Sequence, residues 1–247
     1  MLRTQKALHN WRSPDTTSAE PYLADGEIYI VPALGGVPRR FPSAGIDLVW
    51  SPDGERVAYA NGDVIFSDSA AGGEPRKVTD ARTPSSLSWS PDGTHLAFTS
   101  GNRLYVGGSG MILNIAPSSV WVVAAAGGEP VRITEDAHLD FGPVWTSDGR
   151  SLLFVSDRGG ARDIYRVPID PSCGPVGEPG RLTTGLNVFT IALSADGRTL
   201  SYSVITSRQN IWSMPVPEEG PVSVTQAHPV TTGNQAIEGL DLSTDGK

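Results

Sequence analysis

One pentapeptide pattern returns five times along the chain and constrains the fold more than any other feature. It reads WSPDG at residues 50–54 and 89–93, WTSDG at 145–149, LSADG at 193–197 and LSTDG at 242–246. The Asp residues, 53, 92, 148, 196 and 245, stand at intervals of 39, 56, 48 and 49. Apolar runs flank the copies: IDLVW before and RVAYA after the first, LSW before and HLAFTS after the second. Asp and Gly at these positions suit a type I turn followed by a left-handed residue, a common way to close a short hairpin. Each copy reads as strand, turn, strand, except the last, where only the leading strand and its turn are present.

A second element recurs with the repeat. It reads EIYIV, VIFSD, VWVVA, DIYRV and NIWSM, with aromatics at Tyr29, Phe66, Trp121, Tyr165 and Trp212. In three copies a Gly-Gly pair follows at constant distance, at Gly35, Gly72 and Gly127. The short runs PRRF, PRKVT, PVRIT and PGRLT then supply a fourth strand. β-Branched and aromatic residues bounded by Gly and Pro clusters are strand signals, and no stretch carries a long apolar stripe of helical period. The repeat is four short antiparallel strands in about 40–50 residues, the arithmetic of a β-propeller blade. The expected class is all-β: a β-propeller built from four-stranded antiparallel blades, with about four full blades plus partial terminal ones.

The order W-S-P-D-G, L-A-F, I-Y-V, G-G, R-L-T resembles the TolB-type propeller repeat, a relative of the WD-type blade, over about residues 27–246. That resemblance implies a bacterial scaffold with a periplasmic or extracytoplasmic parent. The same repeat type also serves as the sensor half of some kinases and regulators and as the gating propeller of some peptidases. Residues 1–26 match poorly and read as an N-terminal extension to a propeller domain at 27–247. Within the domain the pattern predicts a partial blade at 27–43, full blades near 44–80, 84–135, 140–184 and 188–232, and a terminal strand at 237–247. Two completions are open: a five-bladed ring closed by strands from both ends, with 17–25 as its second strand, or a homo-oligomer that completes the blade between chains. Self-association is the expectation, because no second strand is obvious and Trp11 and Tyr22 put aromatic surface near the N-terminus.

A net charge of −8 argues against nucleic acid, whose binding needs a concentrated basic surface. No apolar run is long enough to span a bilayer, and the first residues, MLRTQKALHNWRSPDTTS, lack the apolar stretch of a signal peptide. Cys173 is the only cysteine and sits in a Pro/Gly loop, DPSCGPVGEPG, where it reads as an incidental thiol. No nucleophile elbow, H-E-x-x-H or phosphate-binding Gly loop is present. The repeated Asp residues read as turn formers, and Trp50, Trp89 and Trp145, at one register, as blade-to-blade packing.

In a propeller the first strand of each blade lines the central channel, so residues leading into it gather at one mouth. Those lead-ins hold Asp47, Arg82, His138 with Asp140, Asn187, and Glu238 with Asp241. Carboxylates with an Asn amide suit calcium, and a His shifts the preference toward zinc. The candidate metal set is Asp47, Asp140, Asn187 and Glu238, with His138 as ligand or catalytic base. By period-2 alternation Asn187 and Glu238 fall on the other face from Asp47 and Asp140 unless a bulge intervenes. The leading function is a binding or scaffold module that engages a protein or small ligand at the mouth. The rival is a metal-dependent hydrolase of esters, lactones or phosphotriesters. A loop inserted at 102–123, NRLYVGGSGMILNIAPSSVWVV, is a further candidate surface.

Overall fold

The computed structural model describes residues 19–24, 27–32, 37, 39–40, 46–71, 73–102, 116–204, 210–217, 220–221 and 223–232. The chain divides into two compact units, Met1–Val204 and Ile205–Lys247.

The first unit is a series of antiparallel meanders. Strands β1 (Ala19–Ala24), β2 (Glu27–Pro32) and β3 (Arg39–Arg40) form a three-stranded sheet. Three four-stranded sheets follow. The first holds β4 (Ile46–Trp50), β5 (Arg56–Asn61), β6 (Val64–Ser69) and β7 (Arg76–Asp80). The second holds β8 (Ser85–Trp89), β9 (His95–Gly101), β10 (Ser118–Ala124) and β11 (Val131–Arg132). The third holds β12 (Asp140–Trp145), β13 (Ser151–Gly159), β14 (Ala161–Pro168) and β15 (Gly180–Arg181). Strands β16 (Val188–Leu193) and β17 (Leu200–Val204) pair as a hairpin. In each four-stranded sheet the strands pair in chain order, as the all-β, bladed reading requires.

β1 falls within the stretch 17–25 offered as a second strand in one of the two completions, although residues 1–26 match the repeat poorly: 19–24 pair antiparallel with β2, Tyr22 opposite Tyr29. AEPYLA hides its strand character because Pro21 is rare in strands, where it is confined to edges, first positions and bulges.

Each Asp-Gly turn closes by the same bonds. The hydroxyl of Ser51, Ser90, Thr146 or Ser194 donates to the Asp two residues on. The same hydroxyl accepts the N–H of the residue that opens the return strand: Arg56, His95, Ser151 or Thr199, at 2.9–3.0 Å. Each Asp Oδ1 also accepts a backbone N–H two residues later at 3.0 Å. Gly54, Gly93, Gly149 and Gly197 sit at φ of 72°, 69°, 68° and 70°, which explains why the turn ends on glycine. The turn role expected for the repeated Asp residues holds in these four copies; the fifth lies outside the described residues.

The core lies between sheets. One apolar cluster joins Val49, Ala58, Ile65, Leu87, Trp89 and Phe98 from the first and second sheets. A second joins Ala97, Val122, Trp145, Leu152 and Phe154, and Cys173 packs into it. A third joins Phe141, Leu153, Ile164, Val188 and Ile191. Each sheet therefore buries itself mainly against its neighbours, as stacked repeats do. Two tryptophans tie the sheets: Trp89 Nε1 donates to the Val49 carbonyl at 3.2 Å, and Trp145 Nε1 to the Ser88 carbonyl at 3.3 Å.

The second unit, considered by itself, has strands β18 (Trp212–Ser213) and β19 (His228–Pro229), antiparallel, with one 3-10 turn at Val224–Gln226. It repeats a bond of the larger unit. Ile211 N–H donates to Thr231 Oγ1 at 3.0 Å, as Val120 does to Thr134 and Ile164 to Thr183. NIWSM and HPVT thus carry the third- and fourth-strand chemistry of a blade.

Candidate functional site

The first strands β4, β8, β12 and β16 neighbour one another in that order. Their C-terminal ends run into the Asp-Gly turns, so their N-terminal ends gather at the opposite edge. That edge differs from a regular strand start in all four. The register slips between Ile46 and Val49, Ser85 and Ser88, Phe141 and Val144, and Val188 and Thr190. The slip is a β-bulge, which re-aims side chains and bends the strand. In the first three strands a left-handed residue sits at the same register, three before the Trp: Asp47 at φ 54°, Ser86 at 52° and Gly142 at 64°. Asn187 at φ 55° precedes the fourth bulge, and Thr83 at 43° precedes β8. Four of the five described non-glycine residues with positive φ therefore stand at the starts of first strands; the fifth is Cys173. Such conformations cost about 1–3 kcal/mol each and persist only where surroundings fix them.

Fixing groups are visible at three of these positions, Thr83 among them, whose N–H donates to Asp63 Oδ1 at 2.8 Å. Ser86 N–H donates to Asp47 Oδ2 at 3.3 Å, and Gly142 N–H to Thr99 Oγ1 at 3.1 Å. Asp47 is thereby a brace between adjacent first strands.

Asp140 opens β12 and is fully buried. Its Oδ2 accepts from Arg158 Nη2 at 2.7 Å, while Oδ1 has no donor in hydrogen-bonding geometry. Burial raises its pKa, opposed by the Ser156 hydroxyl, the Arg158 charge and the Thr134 hydroxyl. Arg158 lies over the rings of Phe154 and Tyr165, 5.5 and 5.1 Å from their centroids, and is held as firmly as the acid it serves. His138, two residues earlier, is partly exposed, with Nδ1 3.8 Å from Asp157 Oδ1. Asp157 Oδ1 in turn accepts the Leu139 N–H at 3.0 Å. Asn187 is exposed on the lead-in to β16.

A second buried carboxylate belongs to the same sheet. Asp163 lies out of solvent, though shallowly, at the start of β14's core-facing segment. It accepts from Arg181 Nη2, from Thr183 Oγ1 at 3.1 Å, and from the backbone N–H groups of Gly185 and Leu186 at 2.9 and 3.1 Å. Desolvation alone would raise its pKa, but these donors win and hold it at about 2. It pins the connection that leads to Asn187.

Of the expected metal set, Asp47 braces a bulge, Asp140 pairs with Arg158, Asn187 lies at the edge, and Glu238 falls outside the described residues. Among the described residues, no three His, Cys, Asp or Glu side chains converge as a metal group. Sequence reasoning passed over Arg158 and Asp163. The signal was available in SDRGGARD, two Arg and three Asp or Ser residues at a hairpin end, where charges are needed only if they have partners. The insertion around 103–115 also lies outside the described residues. Cys173 is buried within its loop, and burial pushes its thiol pKa up.

Comparison with known proteins gives one family and several relatives. Residues 50–228 match the TolB beta propeller domain. The Tol-Pal system protein TolB of Bordetella pertussis is 36% identical over 126 residues, covering 49% of this chain and 26% of that protein. The chain therefore matches about a quarter of that relative's length. The putative TolB of Agrobacterium tumefaciens superposes with a TM-score of 0.62 at 19% identity, over 80% of this chain and 70% of that one. A calcium-binding regucalcin from the same organism superposes at 0.58 and 16% identity, over 84% and 77%. At such identities the two structures show the fold alone.

Proposed function

This chain belongs to the TolB beta propeller domain family, and from that premise we propose that it is a binding and scaffold module whose working surface is the edge where the first strands begin. The observation that carries the reading is the concentration of left-handed, non-glycine backbone at that edge: Asp47, Thr83, Ser86 and Asn187. Backbone held in costly conformations clusters where geometry serves binding or catalysis, and loops at the ends of a rigid scaffold are where recognition residues concentrate. The side chains near the edge that reach solvent, Asn187 exposed and His138 and Asp157 half-buried, are polar and mixed in charge type, and suit a hydrogen-bonding protein surface. The Tol-Pal membership of the Bordetella relative supports a protein partner.

The test is site-directed crosslinking. A photoreactive residue at Asn187 should capture a discrete partner from cells of the source organism, and capture should fall when His138→Ala and Asp157→Ala are added. The same probe at Ser172, on the exposed loop beyond β14, should capture none. Equal capture at both positions, or none at either, removes the reading.

The hydrolase alternative would have a divalent calcium or zinc held by Asp47, Asp140, Asn187 and Glu238, with His138 as base. It would require Asp140 to exchange Arg158 for a metal ion, and Asp47 to release Ser86. Elemental analysis of protein purified without chelator is its arm of the experiment: stoichiometric metal supports it, and metal-free protein removes it.

A further inference from the structure

The gap between the second and third four-stranded sheets is apolar over most of its height and polar at one end. Ala97, Val120 and Val122 of the second sheet meet Trp145, Leu152 and Phe154 of the third in one cluster. Side chains alternate along a strand, so Thr99, two residues beyond Ala97, and Ser156, two beyond Phe154, extend the same facing surfaces. Ser85 stands opposite Thr99, and Asp140 opposite Ser156. Two bonds cross this end of the gap: Thr99 Oγ1 accepts the Gly142 N–H of β12 at 3.1 Å, and Ser118 Oγ donates to the Asp140 carbonyl at 2.8 Å. Ser85, Thr99, Ser118, Asp140 and Ser156 are all buried.

Hydroxyls at this level set the second sheet apart. Ser85 facing Thr99 holds the place of Ile46 facing Ala60 in the first four-stranded sheet and of Phe141 facing Val155 in the third. A buried hydroxyl costs free energy unless it is bonded, and Ser85 Oγ has no protein partner. Asp140 faces the same gap with the same lack: Arg158 takes Oδ2, and Oδ1 is left without a donor. The Ser156 and Thr134 hydroxyls stand near enough to oppose the rise in its pKa, but neither reaches Oδ1 in bonding geometry. The two orphaned atoms are complementary. A carboxylate oxygen only accepts, whereas a hydroxyl both donates and accepts. A cation is the wrong occupant for the space they share, because Arg158 already balances the carboxylate and the rest of the layer is hydroxyls.

We propose that a single water molecule is bound between the two sheets here, donating to Asp140 Oδ1 and accepting from Ser85 Oγ. The Thr99 hydroxyl, whose oxygen takes the Gly142 N–H, keeps its own proton for a third bond, and about three bonds are usual for a buried water. Such a water joins the starts of β8 and β12, as Asp47 joins those of β4 and β8. It is part of what holds that edge in shape, whatever the edge binds.

Two measurements on the full chain test the proposal. In its crystals an ordered water should stand within hydrogen-bonding distance of both Ser85 Oγ and Asp140 Oδ1. A direct bond between the two side chains, a metal ion at the site, or no ordered atom there overturns it. Stability reads the same site independently. Ser85→Ala takes one bond from the water and should lower the thermal midpoint by about 2–4 °C. A hydroxyl that bonds nothing only burdens the folded state, so a midpoint left unchanged or raised by Ser85→Ala overturns the assignment.

Discussion

At the scale of the residue, carboxylates decide how this protein meets acid. Asp92 is held at about 2, by the Ser90 hydroxyl first and then by the hydroxyl and N–H of Thr94. Asp53, Asp148 and Asp196, its equivalents in the other turns, are lowered for the same reason, the Ser or Thr hydroxyl leading in each. Asp163 is at about 2. A carboxylate whose folded pKa lies below its unfolded value stabilises the fold above the unfolded value, and that contribution is lost as pH falls through the folded one. The unfolded value is about 3.9. Asp170 is lowered as well, the Ser172 hydroxyl leading; Asp140, raised by burial, pulls the other way, but it is one group against six. The urea midpoint should be flat from neutrality to about pH 4 and fall steeply toward about pH 2; a midpoint unchanged across that interval would contradict the turn chemistry. The sequence showed these Asp residues plainly, because a side chain that bonds its own turn needs only local neighbours. It concealed Asp163 and the Asp140–Arg158 pair, whose partners lie 18 or more residues away.

At the scale of the element, strands were legible and bulges were not. Period-2 alternation with Gly and Pro boundaries places β4 through β17, but nothing in IDLVW or SSLSW announces that Asp47 and Ser86 take left-handed φ. Glycine would have been the signal, and only Gly142 gives it. The bulge is set by the neighbouring strand, through Asp47 on Ser86 N–H and Thr99 on Gly142 N–H. The turns make the sharper prediction. Gly149→Val places a β-branched residue at φ 68°, at a cost of about 1–2 kcal/mol, whereas Asp148→Ala removes exposed hydrogen bonds worth about 0.5–1.5 kcal/mol. Together the two changes should lower the denaturant midpoint clearly without altering the spectrum of the folded state. An unchanged midpoint would mean that the β12–β13 hairpin is not register-limiting.

At the scale of the whole molecule, protection should follow burial. The three largest fully buried side chains, Tyr59, Phe98 and Phe154, sit on β5, β9 and β13, while none of the described side chains of 205–247 is buried. Amides exchange through openings whose cost tracks local packing. Hydrogen exchange should therefore be slowest in β5, β9 and β13 and fast through β18 and β19, apart from the bonded Ile211 and Val230 N–H groups. Uniform protection across both units would refute this. The indole bonds have one more consequence, for synthesis on the ribosome. They run in one direction, Trp89 back to Val49 and Trp145 back to Ser88, so each new sheet emerges to find its acceptor already made. A chain that grows from its N-terminus at about 5–20 residues per second can add each sheet to a finished surface, and neither Trp89 nor Trp145 has to wait for a partner still untranslated.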